Sequence, residues 1–260
     1  MGTTKLTRKE ILAEDPVHEA MLRLIEFFRV NGRKVAIAAA AAVILAFGIY
    51  AGLQYLNQRE IQAQDRLAKG MDFFHAAVSP DAPDSPDGGK GPSPVFRSDA
   101  AKYQAAAREL SSVASGYGYG KISVLARYYL GLAQLKLGQN KEAVQNLESV
   151  ASNSKIRTVG FLAKRMLATV HLGSGNYQGA RELLQNMIRD PQCDLQKEDL
   201  SIQLSKVLVA EGKRDEAIKV LRDANTQSPA FGAFKQQLIA ELDRLQKTPQ
   251  AATAPQPANP

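Results

Sequence analysis

The residues best equipped for chemistry are few and scattered. His18, His75 and His171 stand on different segments, and none has a second histidine or a cysteine three or four positions away, the spacing that brings two zinc ligands onto one helical face. Cys193 is the single cysteine, so no internal disulfide can form; a buried small hydrophobe or an idle thiol is expected there. GGKG at 88–91 lacks the spacing and the following Ser or Thr of a phosphate loop, and no G-x-S-x-G, H-E-x-x-H or C-x-x-C occurs. The alternate tyrosines of GYGYG at 116–120 could hold a ligand, although a linker between helices accounts for the same residues. The expectation is therefore no enzyme, no metal and no cofactor.

Stepping outward from these residues, the strongest order in the chain is a repeat. Ala106, Ala143, Ala180 and Ala217 are spaced by 37 residues. Four positions after each stand Leu110, Leu147, Leu184 and Leu221, and three further Val113, Val150, Met187 and Ala224. Ahead of the last three alanines lie Leu130, Leu167 and Leu204, each followed by a small residue, and then Gly138, Gly175 and Gly212. Leucine followed by a small residue lets a first helix accept its partner at close range. The glycine supplies the left-handed turn that ends that helix. The alanine and the apolar residues after it form the buried stripe of a second helix. Such a pair cannot bury its apolar face alone, so the copies stack.

Residues 35–56 are a different object, VAIAAAAAVILAFGIYAGLQYL, with no charged side chain. As a helix they span about 33 Å, enough to cross a hydrocarbon core of about 30 Å. A cleaved signal peptide is the rival reading, but 34 residues precede the run and no small-x-small site follows Leu56. Arg29, Arg33 and Lys34 crowd the entry and only Arg59 stands just beyond the exit, which predicts an N-terminus in the cytoplasm and a translocated C-terminal part. The expected domains are a cytoplasmic segment at 1–34, the anchor at 35–56, a helix at 57–78, a flexible Pro/Gly-rich insertion at 79–98, the repeats with a capping helix at 99–247, and a disordered tail at 248–260. Within the first, Asp15-Pro16 opens a short amphipathic helix with Val17, Met21, Leu24, Ile25 and Phe28 on one face, and Asn31-Gly32 closes it. The insertion holds five prolines and three glycines. The fold class is thus all-α, a transmembrane helix followed by an α-solenoid of helix pairs.

The net charge is +7, and residues 99–247 carry 21 Lys and Arg against 15 Asp and Glu. The charges are interspersed, with neither a basic block nor aromatic interleaving, so the surface is mildly basic and solvated and no nucleic acid is expected.

The repeat resembles the tetratricopeptide repeat, through Leu130-Gly131, Ala143, Leu147, Ala217, Leu221 and Pro229, although its period is 37 rather than 34 and the early aromatic is displaced to Tyr128 and Tyr129. The layout from about residue 18 to 247 is similar to that of the bacterial ancillary SecYEG translocon subunit (YfgM-like) family, with a short cytoplasmic segment, one anchor and a periplasmic repeat domain. That resemblance implies a bacterial inner-membrane protein acting as scaffold or chaperone adaptor near the Sec translocon. Its partners would be translocon subunits, periplasmic chaperones or exported clients, with lipid around the anchor. An assembly scaffold for another envelope complex, or an organelle import receptor with cytosolic repeats, shares the architecture. Tetratricopeptide resemblance places the concave groove at Tyr128, Leu132, Leu135 and Lys136, at Arg165, Thr169 and Leu172, and at Ile202, Lys206 and Val209. A mixed apolar and basic groove suits an extended or helical peptide bearing a carboxylate. A solvated face partly covered by the tail or the capping helix accounts equally for these residues.

Overall fold

A computed structural model describes residues 16–83, 85–89, 93–116, 120–153, 155–228 and 233–247. Side chains at 16–20, 28 and 233 are left aside. The elements are α1 (Pro16–His75), β1 (Ala77–Val78), β2 (Val95–Phe96), α2 (Asp99–Gly116), α3 (Lys121–Lys136), α4 (Asn140–Asn153), α5 (Arg157–Gly173), α6 (Tyr177–Arg189), α7 (Lys197–Ala210), α8 (Arg214–Gln227) and α9 (Ala233–Lys247). The chain divides into two compact units, residues 1–59 and 60–260.

In the first unit, the helix expected to close at Asn31-Gly32 does not close there. Both residues lie inside α1, and Gly32 is not among the described glycines with positive φ. One glycine costs a helix about 1 kcal/mol, which the alanine-rich run after it outweighs. The first fourteen residues and the Asp15 cap lie outside the described residues, as do the side chains of Val17 and Phe28. Met21, Leu24 and Ile25 are exposed, and so are Ile37, Val43, Ile44, Leu45, Phe47, Ile49 and Leu53. Part of α1 is long and apolar enough to cross a membrane.

The second unit starts with the last turns of α1. From α2 to α9 each helix packs on the next, and α3 also touches α5, α5 touches α7 and α7 touches α9. This is the stacked-pair arrangement the 37-residue period predicts. Helices α3, α5 and α7 are the first, or A, helices of three pairs, and α4, α6 and α8 the second, or B, helices. The final turns of α1 pack against α2 as a fourth pair.

The glycine expectation holds at all three turns. Gly138, Gly175 and Gly212 have φ of 74°, 78° and 78°. In each turn the amide two residues past the cap donates back five residues: Gln139 to the Gln134 carbonyl at 2.9 Å, Asn176 to His171 at 2.8 Å and Lys213 to Leu208 at 2.7 Å. The glycine amides donate to the carbonyls of Leu135, Leu172 and Val209. Both bonds together make a Schellman motif.

The stripe residues sit where the spacing puts them. Ala106, Ala143, Ala180 and Ala217 are fully buried, and so are Leu110, Leu147, Leu184 and Leu221. Gly131 shows why the position after Leu130 must be small, since a Cβ there would lie 2.9 Å from Cγ of Leu147. In the first pair Gly70 fills this role, with a Cβ position 2.8 Å from Cγ of Leu110. The sequence alignment did not include Gly70, because the insertion breaks the 37-residue register ahead of it. Ala180→Leu is expected to overpack the contact between α5 and α6 and to cost about 1 to 3 kcal/mol. A thermal unfolding curve unchanged by the substitution would sink this placement of the stripe.

The insertion at 79–98 is corrected by the structure. Its described residues are attached to the first pair at several points. α1 ends at His75, and β1 pairs in parallel with β2 through Ala77 with Val95 and Val78 with Phe96. Phe96 is 2% exposed and packs edge-on to Phe73, ring centroids 5.4 Å apart. Arg97 Nε donates to the Ala82 carbonyl at 2.7 Å, Arg108 Nη2 to Pro86 at 2.9 Å, and Lys69 Nζ lies 3.5 Å from Asp87 Oδ1. Gly88 has φ of 73°, and a Cβ there would meet Pro94 at 2.7 Å. Prolines and glycines that read as a disorder signature serve here as turn residues, and the apolar payload is confined to Ala82, Val95 and Phe96.

Candidate functional site

Most of the groove positions named from the sequence separate into two places. Arg165, Thr169 and Leu172 of α5 and Ile202 and Lys206 of α7 line one cavity of 320 Å³. Ala168, Leu184 and Val207 add to its apolar wall, and Asp199, Gln203 and Gln237 to its polar one. Arg165 Nε lies 3.0 Å from Asp199 Oδ2, and Gln203 Nε2 donates to the same oxygen at 3.0 Å. Asp199 thereby holds Arg165 across the gap between successive A helices. Lys206, one helical turn past Ile202, is exposed and makes no ion pair among the described residues. The Thr169 hydroxyl is turned to the Arg165 carbonyl at 3.2 Å.

Tyr128, Leu132 and Lys136 of α3 do not line this cavity. Tyr128 is partly buried against the core cluster that contains Val124, Leu147 and Val150, and stands edge-on to Tyr129 at 5.6 Å. Burial pushes its phenol above the ordinary value and the Tyr129 ring adds to this, while the positive charge of Arg165 pulls the other way. Tyr128 and Arg165 are therefore electrostatic neighbours across the α3 and α5 seam. Leu132 is half-buried, and Lys136 is exposed in the last turn of α3, where a cation faces the helix's negative end.

Asp199, Gln203 and Gln237 were missed by sequence reasoning. Asp199 lies three residues before Ile202, and Gln203 lies four after Asp199 and three before Lys206, so helical spacing could have placed both on the lining face of α7. Gln237 comes from α9, where the repeat offers no register. Two larger recesses, of 560 Å³ among α6, α7 and α8 and of 680 Å³ between the insertion, α2 and α3, lie apart from the predicted groove.

The chemistry available is that of recognition. Among the described residues the cavity is walled by aliphatic side chains, one engaged Arg–Asp pair, amides and one cation without an ion pair, and no histidine or cysteine lines it. Among the described residues no group of three or more His, Cys, Asp or Glu is placed to hold a metal ion. Cys193 is half-buried, and burial raises its thiol above the usual range, which disfavours the reactive thiolate. The GYGYG stretch lies largely outside the described residues.

Known families decide what this stack is. The model of the tetratricopeptide repeat-like domain family matches residues 26–200, well over half of the chain. The chain belongs to that family. Tetratricopeptide repeat-like domains are protein–protein interaction modules, and no catalytic family is indicated. Among solved structures the chain is similar to kinesin light chain nearly identical TPR-like repeats from Podosopora anserina. The identity is 20%, the match covers 55% of this chain and 77% of that one, and the TM-score is 0.45. No curated protein matches the chain.

Proposed function

We propose that this tetratricopeptide repeat-like protein is a non-enzymatic, membrane-anchored binding module whose repeats hold an extended segment of a partner or client protein near the secretion channel. The observation that carries the binding reading is the cavity between α5 and α7. There Lys206, without an ion pair among the described residues, stands beside aliphatic walls and a preorganised Arg165–Asp199 pair. A peptide carboxylate or acidic side chain meets Lys206, and apolar neighbours meet Ile202, Leu172 and Ala168. Support for the anchor comes from the exposed apolar side chains of residues 35–56 and from a family match that starts at residue 26 and so includes them. The excess of Arg and Lys on the N-terminal side favours a cytoplasmic N-terminus and periplasmic repeats in a bacterial inner membrane. The secretion-channel assignment rests on the family resemblance in layout.

In-cell crosslinking from a photoreactive residue at Thr169 tests this. Capture of export-channel subunits, periplasmic chaperones or exported chains is the expected result. Lys206→Glu is expected to lower that capture at least about tenfold, because like charge then faces the ligand carboxylate. Capture that ignores Lys206→Glu would remove the cavity from the binding face. Capture of a different envelope complex would favour the assembly-scaffold reading, and protease cleavage of the repeats from the cytosolic side would reverse the topology.

A further inference from the structure

Among the described residues three polar side chains are buried, and all are serines: Ser123, Ser201 and Ser205. The Ser123 hydroxyl donates to the Gly120 carbonyl at 3.4 Å and the Ser205 hydroxyl to the Ile202 carbonyl at 2.7 Å. Ser201 is 4% exposed, and its hydroxyl has no hydrogen-bond partner among the described residues. It lines the 560 Å³ recess among α6, α7 and α8. A buried hydroxyl without a partner has lost its bonds to water and gained none in return, so it marks a wall that a ligand completes.

The recess is built in levels. Lys197, Ser201 and Leu204 are spaced i, i+4 and i+7, one above another on α7. α8 runs antiparallel to α7, and the Ser228 hydroxyl donates to Glu198 where the end of one meets the start of the other. Gln227 therefore stands near the level of Lys197, Asp223 and Ala224 one turn further in, and Val220 on the floor with Leu204. Arg189, in the last turn of α6, joins Lys197 at the mouth, and Ile188 and Leu195 extend the apolar wall.

The charges sort the ligand. Arg189 and Lys197 are exposed and make no ion pair among the described residues. Of the three carboxylates in the lining, Asp194 accepts from the Thr158 hydroxyl and Glu198 from Ser228, while the Asp223 carboxylate has no partner among the described residues. The unmatched charges are thus two cations at the mouth and one carboxylate a turn inside. A simple anion would meet Asp223, and a simple cation would meet Arg189 and Lys197. A molecule with opposite charges at its two ends satisfies all three. An aliphatic body between them suits Ile188, Leu195, Leu204 and Val220, and main-chain amides suit the Ser201 hydroxyl and the Gln185 and Gln196 side chains. From Lys197 to Leu204 the axis of α7 rises about 10 Å, the length of about three extended residues.

We infer that this recess binds a short free peptide with an aliphatic side chain, its carboxylate between Arg189 and Lys197 and its ammonium group at Asp223. The site is separate from the Lys206 cavity and does not depend on the client proposed for it.

Titration calorimetry of the full chain in detergent micelles with the tripeptide Ala-Leu-Ala tests this. Acetylating the peptide's N-terminus or amidating its C-terminus should each weaken binding at least about tenfold, because each removes one charge pair. Asp223→Asn should abolish the preference for the free amine and keep that for the free carboxylate, and Arg189→Gln combined with Lys197→Gln should do the reverse. Binding that ignores both blocked ends, or no binding at millimolar peptide, overturns the proposal. Ser201→Ala separates a binding hydroxyl from a structural one. It should keep the melting temperature at or above the parent's, since no bond within the fold is lost, while weakening the tripeptide about threefold or more. A lowered melting temperature, or unchanged binding, would take the hydroxyl out of the site and overturn the proposal. Lys206→Glu should leave tripeptide binding unchanged, so that loss of client capture and loss of this site are separate outcomes.

Discussion

Phe96→Ala is expected to destabilise the first helix pair by about 3 to 5 kcal/mol, the range for truncating a fully buried phenylalanine. The ring is the main apolar contribution of the segment between α1 and α2, and its edge contact with Phe73 is lost with it. The loss should appear as an early, separate transition in thermal or denaturant unfolding of the full chain. Stacked repeats need not unfold as one unit, and the later pairs keep their own cores. An unfolding curve superposable on the parent's would mean that the segment contributes nothing to the fold. Proteolysis offers an independent reading, because cleavage after Arg97 should accelerate in the variant if the segment detaches.

The second large effect is a coupling rather than a single loss. Leu147→Ala should cost about 2 to 5 kcal/mol, because Leu147 is fully buried and its removal leaves a cavity. Gly131→Ala should cost about 1 to 3 kcal/mol on its own, since the new methyl meets Leu147 Cγ at 2.9 Å. In the double variant the alanine methyl occupies space that Leu147 has vacated, so the two costs should fall short of their sum by about 1 kcal/mol or more. Strict additivity in equilibrium unfolding would show that the α3 and α4 backbones are not in the close contact described.

What the sequence disclosed, and what it hid, follows from the length scale of each interaction. The turns at Gly138, Gly175 and Gly212 and the stripes at Ala143, Ala180 and Ala217 were legible because one helix pair fixes them and the pair recurs. Gly70 obeys the same packing rule, yet it was invisible because a 20-residue insertion shifts its register. That insertion was misread for a related reason. Composition reports the average tendency of a segment, whereas order here comes from one phenylalanine reaching a neighbouring core and from carbonyls caught by Arg97 and Arg108. The uninterrupted helix through Gly32 shows local propensity yielding to the residues around it. In the candidate site, Arg165, Thr169, Ile202 and Lys206 came together because they share repeat positions. Gln237 could not be foreseen, since it enters from a capping helix outside the repeat.

The Schellman turns have a consequence for how such a chain can vary. Each of the three closes entirely on its own residues, through a glycine and two backbone bonds that ask nothing of the adjoining pair. Excision of one 37-residue period, from one glycine to the next, joins a turn to an equivalent turn and leaves both ends of the array untouched. The number of modules is therefore free to change in evolution or engineering without inventing a new junction. The terminal pieces, the close of α1 and α9, are what the array cannot spare.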